Sequence, residues 1–204
     1  MNKYFSIKKS SILKFGLLFV LSIPHAFALT PLEEELPRAL AGDNSAQNRV
    51  GEIYMYGRGV PRNTIEAAQW FLKASENGNP FAPNHLAVLY ANGDGVEQSW
   101  EEAAKWLKVS AKRGYYLAQK NLAVAYEEGN GVEQDLVEAY VWASLAEENS
   151  RNINISPELQ QEIVATKERI ECELTKDQLK EALMRLQNYR TTIVVIPATR
   201  QPLP

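Results

Sequence analysis

Gly51-Glu52-Ile53-Tyr54-Met55-Tyr56-Gly57-Arg58-Gly59-Val60 decides the fold, because the pattern returns twice. Ala87-Val88-Leu89-Tyr90-Ala91-Asn92-Gly93-Asp94-Gly95-Val96 lies 36 residues on, and Ala123-Val124-Ala125-Tyr126-Glu127-Glu128-Gly129-Asn130-Gly131-Val132 lies 36 further. The register holds on both sides of this kernel. Ala46, Ala82 and Ala118 precede it, Ala67, Ala103 and Ala139 follow it, and Trp70, Trp106 and Trp142 stand three residues past those alanines. A fixed period of this length marks a stacked array, in which each unit buries its apolar face only against its neighbours.

Each period, bounded at about 43–78, 79–114 and 115–150, reads as two antiparallel helices. In the first, Ala46, Val50, Ile53 and Tyr54 make an i, i+4, i+7, i+8 stripe, as do Ala82, Leu86, Leu89 and Tyr90, and Ala118, Leu122, Ala125 and Tyr126. Gly57 and its counterparts end that helix, since glycine takes the left-handed C-terminal conformation freely. Asn63, Ser99 and Asp135 open the second helix as N-caps, and Glu66, Glu102 and Glu138 three residues on complete the sequence pattern of a capping box. Ala67, Trp70, Phe71 and Ala74 with their counterparts should form the second helix's buried side. The Trp ladder is therefore expected to be core.

The flanks depart from the period. Residues 31–42 look like half a repeat, with Leu32, Leu36 and Leu40 on one face, Pro37 inside the helix and Gly42 in register with Gly78 and Gly114. Asn149 and Ser150 stand where earlier repeats end in glycine, so the third repeat should close differently. Residues 151–190 then read as a helical hairpin capping the stack. Ser156-Pro157 opens its first helix, with Leu159, Ile163, Thr166, Ile170 and Leu174 inward; Thr175 and Gln178 box the start of its second, with Leu179, Ala182, Leu183, Leu186 and Tyr189 inward. Residues 191–204 hold Pro197, Pro202 and Pro204 and read as a disordered tail, although Thr192–Ile196 is β-prone.

Residues 1–28 read as a signal peptide rather than as part of the fold. Lys3, Lys8, Lys9 and Lys14 form a basic leader, Phe15 to Ile23 a short apolar run, and Ala26-Phe27-Ala28 a small-residue cleavage site. A membrane-spanning helix needs about 20 apolar residues, more than this run offers. The expected destination is the periplasm. Removing the four leader lysines takes 22 basic residues to 18 against 25 acidic ones, a net charge near −7. Such a chain is a poor match for nucleic acid or an anionic membrane surface, and stable membrane insertion is not expected. Cys172, the single cysteine, cannot form an internal disulfide. Its expected state is buried and inert, with an intermolecular link as the alternative.

Little chemistry is on offer. Once His25 leaves with the leader, His85 is the one histidine remaining, and with one cysteine it does not make a zinc site. No cofactor motif is present, and no G-x-S-x-G; the S-x-x-K matches fall inside the leader. Gly57/Gly59, Gly93/Gly95 and Gly129/Gly131 are helix connectors, not phosphate cradles. Glu33-Glu34-Glu35 is a solvated face at a helix N-terminus. Trp100 breaks the Trp ladder, falls just after the Ser99 cap, and is a candidate exposed ligand contact.

The recurring glycines, the A-x-x-W pair and the polar N-cap on this period resemble the Sel-1-like repeat, a relative of the tetratricopeptide repeat. The resemblance spans residues 31–150 and implies an all-α, right-handed α/α solenoid of helix-turn-helix repeats with helical caps. Ala87 and Ala123 depart from it where Gly51 conforms, and the cysteine pairs of the family's secreted, disulfide-rich branch are missing. Some members of that branch are linked to β-lactam binding or hydrolysis; without the cysteines or a nucleophile motif, an envelope-acting hydrolase is the alternative reading and a non-enzyme the primary one. In such stacks the first helices line a concave face. By register this strip is Asn48, Glu52 and Met55, then Asn84, Val88 and Ala91, then Lys120, Val124 and Glu127. The implied role is an exported module that binds a protein or peptide partner there, as an envelope adaptor or a toxin-neutralising immunity protein. A purely structural scaffold subunit is the further alternative.

Overall fold

The computed structural model describes residues 29–151 and 153–192. Residues 1–28, read as a signal peptide, and the residues from 193 onward, read as part of a tail, lie outside the described residues. Among the described residues there are nine helices: α1 Pro31–Leu40, α2 Asn44–Tyr56, α3 Thr64–Glu76, α4 Ala82–Asn92, α5 Trp100–Lys112, α6 Tyr116–Glu128, α7 Leu136–Ser150, α8 Pro157–Glu173 and α9 Lys176–Thr192. Each helix from α1 to α7 packs on the next; α9 lies on α7, and α8 also reaches α6. The pairs α2/α3, α4/α5 and α6/α7 are the three repeats, and α1 supplies the half repeat. Pro37 sits inside α1 without ending it. Helix α9 runs two residues into the stretch read as tail.

The stripes pack as their spacing requires. Val50, Leu89, Leu122, Ala67 and Ala139 are fully buried, and the three tyrosines at the stripe ends are half-buried. Trp70 and Trp142 are core, whereas Trp106 is only partly buried where the two larger clusters meet. The Trp ladder is thus core at its two ends and looser in the middle.

The connection between the two helices of a repeat is built twice over. At Gly93 the chain turns left-handed at φ 71°, and its N–H closes on the Leu89 carbonyl. Seven residues beyond positions 55, 91 and 127, a long polar side chain returns to the carbonyl there: Arg62 to Met55 at 3.1 Å, Gln98 to Ala91 at 2.8 Å and Gln134 to Glu127 at 2.8 Å. Three orphan carbonyls of the first helices are satisfied this way.

The N-caps correct one expectation. Asn63, Ser99 and Asp135 do accept from the N–H of Glu66, Glu102 and Glu138. The return arm of a capping box is absent, because the N-cap N–H already donates to the carbonyl of Tyr54, Tyr90 or Tyr126 at 2.9–3.0 Å. Complete reciprocal boxes occur at the two ends instead, at Thr30–Glu33 and Thr175–Gln178.

Helix α7 runs 15 residues against 13 for α3 and α5, closing at Ser150 without a glycine. In the hairpin that follows, Ile163, Thr166, Ile170, Ala182 and Leu186 are buried. Two expectations fail there. Leu183 is exposed, one step of about 100° around α9 from Ala182. Cys172 is exposed too, two steps past Ile170 and on the far side of α8.

Candidate partner-binding groove

The nine residues of the strip do not form one open surface. Asn48 is buried and donates its amide to Glu52 Oε1 at 2.7 Å. That oxygen lies 3.4 Å from His85 Nε2. Burial pushes the Glu52 carboxyl up, but His85 and the Asn48 amide outweigh it and hold it below the usual carboxylate range. Asn84 is buried and accepts from Asn121 Nδ2 at 3.2 Å. Met55 packs against the core cluster around Phe71 and Leu89.

In the third repeat the strip is covered from outside. Arg169 of α8 reaches the buried Glu127 carboxylate at 2.7 Å, and Glu162 of the same helix pairs with Lys120. Burial pushes the Glu127 carboxyl above its ordinary value despite the arginine. Asn48, Asn84 and Glu127 are therefore interior groups with assigned partners, a correction to their reading as surface contacts. Sequence register places a residue on a helix face, but it does not show that α8 folds back over α6.

The remaining residues come together. Val88 and Ala91 from α4, and Lys120 and Val124 from α6, line one groove with α5 as its floor, enclosing a cavity of about 430 Å³. Ala87, Ala103, Ala104, Leu107 and Ala125 complete its apolar lining, Asn121 lies between the helices, and Glu162 reaches in from α8. Trp100, at 44% exposure, forms one wall. It is the residue that the broken ladder singled out.

The groove is open for a reason visible in the repeat itself. At the equivalent place one repeat earlier stand Met55 for Ala91, Tyr56 for Asn92, Phe71 for Leu107, His85 for Asn121 and Leu89 for Ala125. There the Phe71 and His85 rings stack at 4.7 Å between centroids, and Phe71 is fully buried. The second and third repeats replace that stack and its neighbours with smaller side chains, and Val88 replaces the charged Glu52. Four changes run the other way: Gly51 becomes Ala87, Asn84 becomes Lys120, Asn92 becomes Glu128 and, the largest, Thr64 becomes Trp100. A comparison of side-chain size position by position could have found the groove; a search for shared residues could not.

A second, more polar depression of about 890 Å³ lies against α6, α7 and α9. Two of its three carboxylates are engaged already, since Arg185 pairs with Glu138 at 2.8 Å and Asp135 at 3.4 Å. Among the described residues no three His, Cys, Asp or Glu side chains cluster to hold a metal, and no helix is long and apolar enough to cross a membrane.

The arrangement can bind but offers no reacting constellation in the groove. Comparison with known proteins points the same way. The Sel1 repeat profile matches three times, over residues 44–79, 81–115 and 117–150. Among curated proteins none matches the chain. Two solved structures are similar. A Sel1 repeat protein from Oxalobacter formigenes is 33% identical over 53% of this chain and 44% of that one, with a TM-score of 0.52. A protective antigen present in uropathogenic Escherichia coli strains, displaying an SLR fold, is 26% identical over 80% of this chain and 41% of that one, with a TM-score of 0.58. The matched part is less than half of either solved chain. Sel1 repeat proteins generally act as protein–protein interaction modules. With three repeats matched and the helix pairs α2/α3, α4/α5 and α6/α7 stacked in the same order, this chain belongs to the Sel1 repeat family.

Proposed function

We propose that the protein is an exported, non-enzymatic interaction module that works in the periplasm and receives a protein or peptide partner in the groove between its second and third repeats. One observation carries the reading: an apolar cavity of about 430 Å³ stands open where the preceding repeat fills the same position with its own side chains. Apolar surface left uncovered in a well-packed array favours a partner that covers it. The role that fits is an envelope adaptor or an immunity protein that neutralises a toxin by occupying it.

Site-specific photo-cross-linking tests this reading. A benzophenone amino acid replaces Val124 in the groove or, as control, the exposed Gln69 on the outer side of α3. The expected result in envelope extract is a discrete adduct from position 124 and none from position 69. Adducts from position 69 alone would move the working surface to the other side of the array.

A further inference from the structure

We infer that the groove selects a partner segment carrying an aromatic or long aliphatic side chain next to a lysine or arginine. This rests on the groove being the docking site, and it adds the chemistry of what docks.

The apolar part follows from what the second and third repeats lack. Relative to the first repeat, the groove is short of an aromatic ring stack, a methionine and a leucine, because Leu107, Asn121, Ala91 and Ala125 stand in their places. A chain that fills the same volume with its own side chains at the preceding position defines what the space accepts. The floor alanines offer contact to carbon and little hydrogen bonding, so a polar side chain entering here would lose its water without compensation. Trp100 adds a flat apolar wall at the mouth, and partly exposed tryptophans of this kind anchor interfaces.

The basic part follows from the charge around the mouth. Glu128 is exposed at the end of α6, and Glu162 is exposed on α8. Lys120, the one basic residue in the lining, is already paired with Glu162. The two helices that form the walls, α4 and α6, both end here, at Asn92 and Glu128, while α5 begins here at Trp100, so the negative poles of both wall helices outnumber the one positive pole at this end of the groove. A cation on the partner finds attraction from Glu128 and from both helix ends. An anion finds repulsion from all three.

The experiment pans a phage-displayed random nonapeptide library against the full chain and measures synthetic versions of the enriched peptides by calorimetry. The expected consensus places Phe, Trp, Leu or Met within two residues of Lys or Arg. Exchanging that base for Glu should weaken binding at least tenfold, and so should Glu128→Lys in the protein. Ala91→Met and Trp100→Thr each restore a residue the first repeat carries, and each should also weaken binding at least tenfold with an unchanged circular dichroism spectrum. Trp100 is exposed, so its substitution leaves the core alone even if methionine at position 91 perturbs packing. If Ala91→Met and Trp100→Thr act but the consensus is acidic or lacks an apolar residue, the groove is a docking site and the specificity inferred here is wrong. If neither variant affects any enriched peptide, or no peptide is enriched, the inference and the docking site both fall.

Discussion

Gly131 lies against Trp100 so closely that a Cβ on the glycine would sit 1.9 Å from the Trp100 carbonyl oxygen. The connector of the third repeat thus rests on the first turn of the second repeat's α5. The same contact recurs one repeat earlier, where a Cβ on Gly95 would fall 2.4 Å from the carbonyl carbon of Thr64. Gly95 and Gly131 are therefore stacking residues between repeats, whereas a Cβ on Gly59 would meet only side-chain atoms at 3.4 Å or more; the first glycine of each G-x-G is a helix terminator.

This division predicts unequal costs. Gly129 and Gly131 have nearly the same φ, 75° and 70°, so alanine pays a similar backbone penalty of about 1–2 kcal/mol at either. Only Gly131→Ala adds a collision with backbone; the nearest atom to a Cβ on Gly129 is 3.6 Å away. Gly131→Ala should lower the thermal midpoint clearly more than Gly129→Ala, and equal midpoints would remove the stacking role. By the same reasoning Gly93→Val should cost more than Gly78→Val. Backbone angle does not separate that pair, at 71° and 84°; a Cβ at position 93 would lie 3.2 Å from Gln98 Cβ, whereas one at position 78 meets open space.

Gly51 makes a second test within one repeat. A Cβ there would lie 2.6 Å from the Phe71 ring, while the second repeat pairs Ala87 with the smaller Leu107. Gly51→Ala should gain about 0.5–1 kcal/mol in helix propensity and lose about 1–3 kcal/mol to overpacking. Adding Phe71→Leu should relieve the clash, giving a favourable coupling of about 1 kcal/mol in a double-mutant cycle. Additive effects in urea melts would mean the ring moves aside without cost.

That pair also marks how far the chain was legible. The period, the helix stripes and the N-caps follow from local rules that act the same way three times, so register alone exposes them. Asn48, Asn84 and Glu127 were misplaced because their burial depends on neighbours: a carboxylate beside His85, an amide from Asn121, and α8 lying over α6. Val88, Ala91 and Val124 line the groove because no other element covers them, and Lys120 lines it with Glu162 of α8 as its partner. Leu107, Asn121 and Ala125 escaped notice because they matter by being smaller than their counterparts, and a residue's smallness shows only by comparison.

Two buried glutamates should respond to pH in opposite directions. Glu147 is little exposed and holds Lys167 at 2.7 Å and Arg151 besides; burial pushes its carboxyl up, but these partners pull it below the ordinary 4.5. A depressed carboxyl contributes stability that is complete above the unfolded value and is lost as pH falls through the folded one. Glu147→Gln should therefore destabilise at neutral pH, and the gap to wild type should close in acid. Glu127 is raised, so its charged form is disfavoured in the fold, and its cost at neutral pH is relieved as pH falls through the raised value toward 4.5. Glu127→Gln should leave the protein equally or more stable at neutral pH, with that advantage fading in acid. Urea midpoints from about pH 3 to 7 decide both signs.

The start of α1 bears on where the leader ends. Thr30 caps this helix: its side chain accepts from the Glu33 N–H at 3.3 Å, and its own N–H donates to Glu33 Oε2 at 2.9 Å. The Thr30 N–H and the Thr30 hydroxyl both donate to the Glu33 carboxylate and hold it below its ordinary value although it is fully exposed. Cleavage after Ala28 leaves Leu29 and Thr30 ahead of Pro31, so the whole box survives processing. Cleavage two residues later would remove Thr30 and leave the first turn of α1 uncapped, at a cost of about 1 kcal/mol. Intact mass spectrometry of protein recovered from the periplasm should give a chain beginning at Leu29. A recombinant chain beginning at Pro31 should melt below one beginning at Leu29. Recovery of a chain that keeps residues 1–28 and sediments with membranes would overturn export by a cleaved leader, and equal melts would show that the Thr30 cap contributes nothing.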